Sequence, residues 1–273
     1  LIYQENAGVS AARNRGIDEA KADMISFLDA DDEWLPDYLE TVLRLRNKYP
    51  DAGLYATSLK TEFTEDVLAD KDTELRKLIP DEGLISNYFK VNMKDISQKD
   101  IFYTSSVTVP RKIFKETGGF ATGFWWGEDV DMWSRIALKY PFAYSSRVCV
   151  IYYQNVVNGA AYKNKPVNGH PLLNTGKESL RLGIVPEAIK SDLEEYLEFV
   201  EMCTAKHNAE AGDNSLALQL LMRKEIKPVY KRLLVSAVLS TDKGEDPARV
   251  FDSVPGKNVS AGHVSGVQTE KQS

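Results

Sequence analysis

Cysteine is nearly missing from this chain: Cys149 and Cys203 are the only two in 273 residues. That excludes a multi-cysteine zinc site and a disulfide framework, and leaves at most one disulfide. No apolar run approaches the roughly 18 residues of a membrane-spanning helix. The opening Leu1-Ile2-Tyr3-Gln4-Glu5 has neither a basic start nor a long apolar stretch, so no signal peptide is expected. It also lacks an initiator Met, and the chain reads as a fragment. Positive charge is not in excess. Thirty-four basic against 40 acidic residues give a formal net charge of −6, which argues against a broad nucleic-acid surface but not against a local basic pocket. What remains is ordinary for a globular protein: 43% hydrophobic and 27% charged residues, enough to bury a core in one large domain or two modest ones.

Through about residue 155, short apolar runs alternate with helical patterns, which argues for a layered α/β sheet. Leu1–Tyr3 reads as the end of a strand. Ser10–Ala22 reads as a helix with Ser10 as N-cap. Met24–Leu28 has the continuous apolar character of a buried parallel strand. Pro36 sits where a helix would start, continuing to about Lys48. Ala52–Ser58, Val107–Val109 and Arg147–Tyr153 read as strands, and Lys112–Thr117 and Asp129–Lys139 as helices. Thr61–Asp100 is polar and poorly periodic and reads as an insertion over the sheet, with a turn at Asp81-Glu82-Gly83 before a short helix. From about Lys177 the pattern changes to helices over Glu187–His207, Ala211–Arg223 and Val229–Leu239. The expected organisation is therefore 1–176 as the α/β domain, 177–241 as a small helical region, and 242–273 as a disordered tail.

Two acidic constellations carry the chemistry. The first is Phe27-Leu28-Asp29-Ala30-Asp31-Asp32, three carboxylates directly after an apolar run. Ligands of open α/β sheets bind at the carboxyl ends of strands. Carboxylates clustered there repel one another unless a cation neutralises them. Mg²⁺ or Mn²⁺ would take one or two of them and complete its sphere with water and phosphate oxygens. A capped helix start is the plainer alternative. A calcium loop is not supported, because Trp34 stands where the sharp turn needs Gly. The second constellation is Gly127-Glu128-Asp129, running into Met132-Trp133-Ser134-Arg135 and preceded by Gly118-Gly119-Phe120 and Phe124-Trp125-Trp126. A carboxylate at such a helix start could act as a general base, and exposed aromatic faces beside it could pack on a sugar ring. Core packing of the aromatics is the plainer alternative. Arg135 reads as structural, paired with an acidic neighbour.

Gln4-Glu5-Asn6-Ala7-Gly8-Val9-Ser10-Ala11-Ala12-Arg13-Asn14-Arg15-Gly16 followed by the first acidic motif resembles the nucleotide-sugar half of glycosyltransferase family 2. Gly118-Gly119-Phe120, Gly127-Glu128-Asp129 and Trp133-Ser134-Arg135 resemble its acceptor half. The resemblance covers about residues 1–155, and the motifs occur in the family's order. It implies a GT-A fold, a Rossmann-like, mostly parallel sheet flanked by helices. It also implies inverting sugar transfer from a nucleoside diphosphate sugar to a glycan or lipid-linked hydroxyl, in surface polysaccharide or lipopolysaccharide synthesis. Asp31 and Asp29, a DXD motif, would be the metal pair for Mn²⁺ or Mg²⁺. Asn6, Arg13, Asp29 and Asp31 would bind the donor. Asp129 would be the catalytic base, and Glu128, Trp125 and Trp126 would hold the acceptor.

The family's opening strands and Asp-Asp-Gly-Ser-like loop have no counterpart here, so the chain alone is expected to bind nucleotide sugar weakly or not at all and to be inactive by itself. Gln154-Asn155-Val156 stands where an Arg-x-His element is common, and the next His is His170. His207 and His263 read as incidental. No Gln-x-x-Arg-Trp motif is present, against a processive membrane-embedded synthase. The expected place of action is the cytoplasm, with peripheral association at the inner membrane face left open. Two other classes are the alternatives: a catalytically inactive glycan- or partner-binding module of the same fold, and a nucleotidyltransferase, which would need a glycine-rich basic N-terminal loop not seen here.

Overall fold

The structure is a computed structural model, and it describes residues 1–61, 78–93, 101–153 and 165–221. Eight helices and six strands are described: α1 (Val9–Glu19), β1 (Met24–Ser26), β2 (Glu33–Trp34), α2 (Tyr38–Lys48), β3 (Leu54–Thr61), β4 (Glu82–Ile85), α3 (Tyr88–Met93), β5 (Val107–Pro110), α4 (Arg111–Thr117), α5 (Glu128–Ala137), β6 (Phe142–Tyr152), α6 (Pro171–Arg181), α7 (Glu187–Glu210) and α8 (Asn214–Leu221). A 3₁₀ turn, Thr104–Ser106, leads into β5.

The strands form one sheet in the order β1-β5-β3-β6-β2, with β4 also paired to β6. The α/β expectation holds, but the sheet is mixed rather than mostly parallel. Among the described residues only β3–β6 is parallel, and the other four pairings are antiparallel. The long strands β3 and β6 run with β1, as helical crossovers require. The short β2, β4 and β5 run against them. Met24–Leu28, expected in a parallel setting, contributes only Met24–Ser26, and its partner β5 is antiparallel. β5 lies between β1 and β3, and β6 lies between β3 and β2, so neither strand that precedes α2 pairs with the β3 that follows it.

Side chains alternate across the sheet as the pleat demands. Leu54 and Ala56 of β3 and Phe142 and Tyr144 of β6 face a core shared with α1, α3, α5, α6 and α7. Tyr55 of β3 and Ala143 of β6 face a second core with Tyr38, Val42 and Leu45 of α2. Helices therefore cover both faces. The helical C-terminal segment belongs to the larger core: Leu193, Tyr196, Leu197 and Val200 of α7 share a cluster with Phe89, Trp133 and Phe142.

Several local expectations are corrected. Leu1, Ile2 and Tyr3 lie outside the sheet, with their side chains exposed. The N-cap of α1 is Gly8, whose φ of 88° suits glycine, and Ser10 is buried inside the helix. Glu82 and Gly83, read with Asp81 as a turn, open a strand, Glu82–Ile85, paired with β6 rather than layered over the sheet, and the short helix expected after them is α3. Helix α6 lies across the expected start of the helical region. The expected helix Val229–Leu239, the tail 242–273 and Gln154-Asn155-Val156 lie outside the described residues.

Candidate active site

The first acidic motif follows β1. Phe27 is buried under it, in edge contact with Phe114 and Phe120 at 6.0 and 5.4 Å between ring centroids. Beyond Phe27 the chain turns, with the Asp32 N–H donating to the Asp29 carbonyl at 3.1 Å. It then enters β2, not a helix, so helix capping does not explain these carboxylates. Leu28, expected in the buried run, is 47% exposed.

The turn is held from across the sheet by Ser105. The Asp29 N–H donates to Ser105 Oγ at 3.0 Å, and Ser105 Oγ donates to Asp32 Oδ2 at 2.5 Å. Trp34 Nε1 donates to the Ser105 carbonyl at 2.7 Å. Burial pushes the Asp32 carboxyl up to about 6; Ser105 opposes the shift, while Asp29 and Asp31 add to it. Tyr103 and Tyr152, with ring centroids 4.7 Å apart, stand close enough to this loop to feel its aspartates. Burial first, and then Asp32, raise the Tyr103 hydroxyl far above its ordinary value.

The second motif is built on a loop clamped by α1 and α5. Asn14 Nδ2 donates to the Phe120 carbonyl at 2.9 Å, and the Phe120 N–H donates to Asn14 Oδ1 at 2.7 Å. A Cβ at Gly119 would lie 2.3 Å from that Oδ1, so the clamp needs glycine there. Arg135 is structural, as expected. It donates to Asp131 Oδ2 at 3.0 Å and to the carbonyls of Thr117 and Gly119 at 2.5 and 2.7 Å. Asp131, fully buried, also accepts from Thr175 Oγ1 at 2.5 Å, which ties α5 to α6.

Gly127 caps α5 in the left-handed region, at φ 80°, and places Glu128 and Asp129 in the first turn. A Cβ on Gly127 would fall 2.1 Å from His170 Nε2. His170 is buried and caps α6 by accepting the Leu172 N–H at Nδ1, 3.2 Å away. Burial alone lowers its pKa to about 3, so it is neutral under ordinary conditions.

Arg13 joins the two motifs. Its NH2 donates to both oxygens of Asp29 at 2.9 and 3.1 Å, and its NH1 donates to Glu128 Oε1 at 2.8 Å. Its guanidinium lies 5.4 Å from the Phe120 ring centroid. Burial works against the Arg13 charge, but Asp29, Asp129 and Glu128 together raise its pKa above the ordinary value. Burial, then the charge of Asp129, push the Glu128 carboxyl up to about 7 while Arg13 pulls it down. Asp129 is only partly buried. Its Oδ1 accepts from the Val130 N–H at 2.7 Å and its Oδ2 from Thr104 Oγ1 at 3.3 Å.

Arg13, Asp29, Glu128 and Asp129 are thus gathered in one place. Asn6 is not part of that network. It is exposed, and its Oδ1 accepts the Gly8 N–H at 3.1 Å in a local turn. Asp31 is partly exposed beside the network and has no hydrogen bond or ion pair among the described residues. Trp125 is 39% exposed. Trp126 lies against two histidines, stacked on His207 at 4.9 Å and edge-on to His170 at 5.2 Å. His207, read as incidental, is therefore a packing partner of this loop, and its Nε2 lies 2.9 Å from the Lys165 carbonyl. Thr104, Ser105 and His170 were missed. Only His170 had a usable signal, the Pro171 that follows it at a helix start.

Among the described residues no group of three or more His, Cys, Asp or Glu side chains converges as a metal cage. A hard cation bound with a diphosphate needs only one or two carboxylates. Asp31 fits that need. Asp29 would share its oxygens with Arg13.

Residues 1–164 match a family model described as glycosyltransferase like family 2. EpsH of Bacillus subtilis (strain 168), a protein described as a glycosyltransferase, is 31% identical over 121 residues, 43% of this chain and 34% of its own. The succinoglycan biosynthesis protein ExoW of Rhizobium meliloti (strain 1021) is 39% identical over 61 residues, 22% of this chain and 19% of its own. The chain spans about a third or less of the length of such relatives. Among solved structures, residues 1–349 of S. aureus TarS in complex with UDP-GlcNAc superimpose with a TM-score of 0.57 at 9% identity, covering 89% of this chain and 74% of that one. That likeness is one of fold.

Proposed function

The chain belongs to glycosyltransferase-like family 2, and from that footing we propose that it performs metal-dependent, inverting transfer of a sugar from a nucleoside diphosphate sugar to a hydroxyl of a glycan or lipid-linked acceptor, in the synthesis of surface polysaccharide or lipopolysaccharide. The observation that carries this reading is the Arg13 bridge, which brings a carboxylate of each acidic motif to one guanidinium. ExoW, named for succinoglycan biosynthesis, and the UDP-GlcNAc complex of TarS support the product class and the donor class.

In this mechanism Asp129 takes the proton of the acceptor hydroxyl. The freed oxygen attacks the anomeric carbon as the bond to the diphosphate oxygen breaks on the opposite face, its electron pair leaving with the diphosphate. Glu128, Trp125 and Trp126 hold the acceptor. Asn6, Arg13, Asp29 and Asp31 serve the donor, with Arg13 close enough to the donor side to offset diphosphate charge. Asp31, with Asp29 sharing, would hold Mn²⁺ or Mg²⁺, which supplies charge neutralisation to the leaving diphosphate. Residues 1–176 carry the chemistry, and the helical region from 177 braces the acceptor loop through His207. The reaction takes place in the cytoplasm, with lipid-linked acceptors met at the inner face of the membrane.

The test is nucleotide release from a panel of UDP- and GDP-sugars in Mn²⁺. Asp129→Asn should lower turnover by about 10²–10⁴-fold, the range for a general base, with donor binding nearly unchanged. Asp31→Asn and excess chelator should each remove most turnover. No release from any donor by the whole protein of which this chain is read as a part overturns the reading, and full activity in chelator overturns its metal.

A further inference from the structure

Thr104 and Ser105 are consecutive and fully buried, yet their hydroxyls serve different halves of the site. Buried hydroxyls most often bond to backbone. Here Thr104 Oγ1 donates to Asp129 Oδ2 at 3.3 Å, 25 positions away, and Ser105 Oγ donates to Asp32 Oδ2 at 2.5 Å, 73 positions away. The same Ser105 oxygen accepts the Asp29 N–H at 3.0 Å. Resting on the function proposed above, we propose that the Thr104–Ser105 step is a positioning device, in which Thr104 aims the Asp129 carboxylate and Ser105 fixes the donor-side loop, so that one rigid peptide sets the distance between base and donor.

The surroundings suit a fixed spacer. The turn is closed by the Ser106 N–H and Ser106 Oγ, each donating to the Tyr103 carbonyl at 2.8 Å. Trp34 Nε1 holds the Ser105 carbonyl at 2.7 Å. The next residue, Val107, starts β5 and pairs with Ala56 of β3 inside the sheet. A β-branched residue at 104 has few side-chain rotamers, and its hydroxyl is held where Asp129 needs a donor. Neither residue is placed to touch the reacting atoms, so both act through the carboxylates.

The aim of a base matters steeply, since a misplacement of about 1 Å can cost about 10²-fold in rate. Thr104→Val keeps the shape and removes the hydroxyl. With UDP-N-acetylglucosamine and Mn²⁺ as the probe, it should lower kcat about 10-fold or more and leave the donor KM unchanged. Thr104→Ser should restore kcat. Ser105→Ala should instead raise the donor KM. If Thr104→Val does not fold, Thr104→Ala against Thr104→Ser carries the same comparison. Wild-type kcat in the folded Thr104→Val or Thr104→Ala protein overturns the role of Thr104, and an unchanged donor KM in Ser105→Ala overturns that of Ser105. Asp129→Asn separates the two readings. If it keeps full turnover, the base assignment fails. If it is inactive while Thr104→Val is not, only the positioning role fails. Crystal structures of the Thr104 variants read the aim without turnover: a rotated Asp129 carboxylate in the variant lacking the hydroxyl supports the role, and an unmoved one overturns it.

Discussion

Arg13 and Glu128 stand 115 positions apart in the chain and meet at 2.8 Å, with their side chains 11% and 9% exposed. Arg13 also carries Asp29, so one guanidinium compensates a carboxylate from each motif.

Removing it should leave both carboxylates uncompensated. Breaking a buried ion pair from one side typically costs about 3–5 kcal/mol. Arg13→Ala should therefore lower the urea midpoint, toward the lower part of that range because Asp29 keeps 27% of its side chain exposed and Glu128, raised to about 7, can take up a proton. Arg13→Lys should recover only part of it, since an ammonium cannot hold Asp29 with two parallel bonds while reaching Glu128. Equal midpoints for the lysine variant and the unaltered chain would contradict the shared-fork geometry.

The raised carboxyls of Asp32, at about 6, and Glu128, at about 7, predict the pH dependence of stability. Each holds its proton more tightly folded than unfolded. Their contribution is fully present below the ordinary carboxyl value of about 4 and is lost as pH rises through about 6 and about 7. The thermal midpoint should fall between pH 4 and pH 7. Glu128→Gln should flatten the upper part of that fall and Asp32→Asn the lower part. Melting curves at half-unit pH steps check both.

Gly127→Ala meets two penalties. Its φ of 80° lies in the left-handed region, and its Cβ would fall 2.1 Å from His170 Nε2, the ring of a buried side chain. The left-handed conformation alone costs a non-glycine residue about 1 kcal/mol or more. A double variant with His170→Ala should relieve the clash but keep the backbone strain. Measured as a double-mutant cycle by denaturant melts, the two changes should be non-additive. Simple additivity would separate His170 from the Gly127 turn.

Neighbouring tryptophans should behave differently. Trp125, 39% exposed and 5.5 Å between ring centroids from His207, should lose less stability than Trp126 on substitution by alanine and show a raised acceptor KM. Trp126, stacked on His207 at 4.9 Å, should lose stability as well. Its partner variant His207→Ala should reproduce part of that loss. Melting curves paired with acceptor kinetics separate packing from binding.

What the chain disclosed in advance was local. The Leu54-Tyr55-Ala56 run that opens β3, the Pro36 start before α2 and the two acidic runs were legible because neighbouring residues carry them. β2, with two residues, is too short to show any alternation. β4 was hidden because Glu82-Gly83 has turn chemistry, and its strand character comes from pairing with Ser145 and Tyr144 of β6. The upstream half of β6 was concealed by Ser145-Ser146-Arg147, where the register with β3 shifts around Ser58. Helix α6 buries Leu172 and Leu173 in its first turn but Gly176 and Ser179 further along, so its apolar stripe is interrupted. Nothing local to His207 reveals that it stacks on Trp126. At the site, residue types were readable and partners were not. Thr104 and Ser105 look like ordinary strand-entry residues until the fold brings Asp129, Asp29 and Asp32 to them.

The Asn14 clamp on Phe120 has a kinetic consequence. It joins positions 106 apart in sequence. A contact of such span must close a long loop before it returns any energy. The contacts of α2 with β3 and of β5 with α4 are near in sequence and close small loops, whereas the strand pairings of the sheet join distant segments as the clamp does. The union of α1 with the loop that carries the second acidic motif comes late, and the two carboxylate groups face each other only once it has formed. A chain caught before these long-range contacts close would have local helices and no assembled reaction centre.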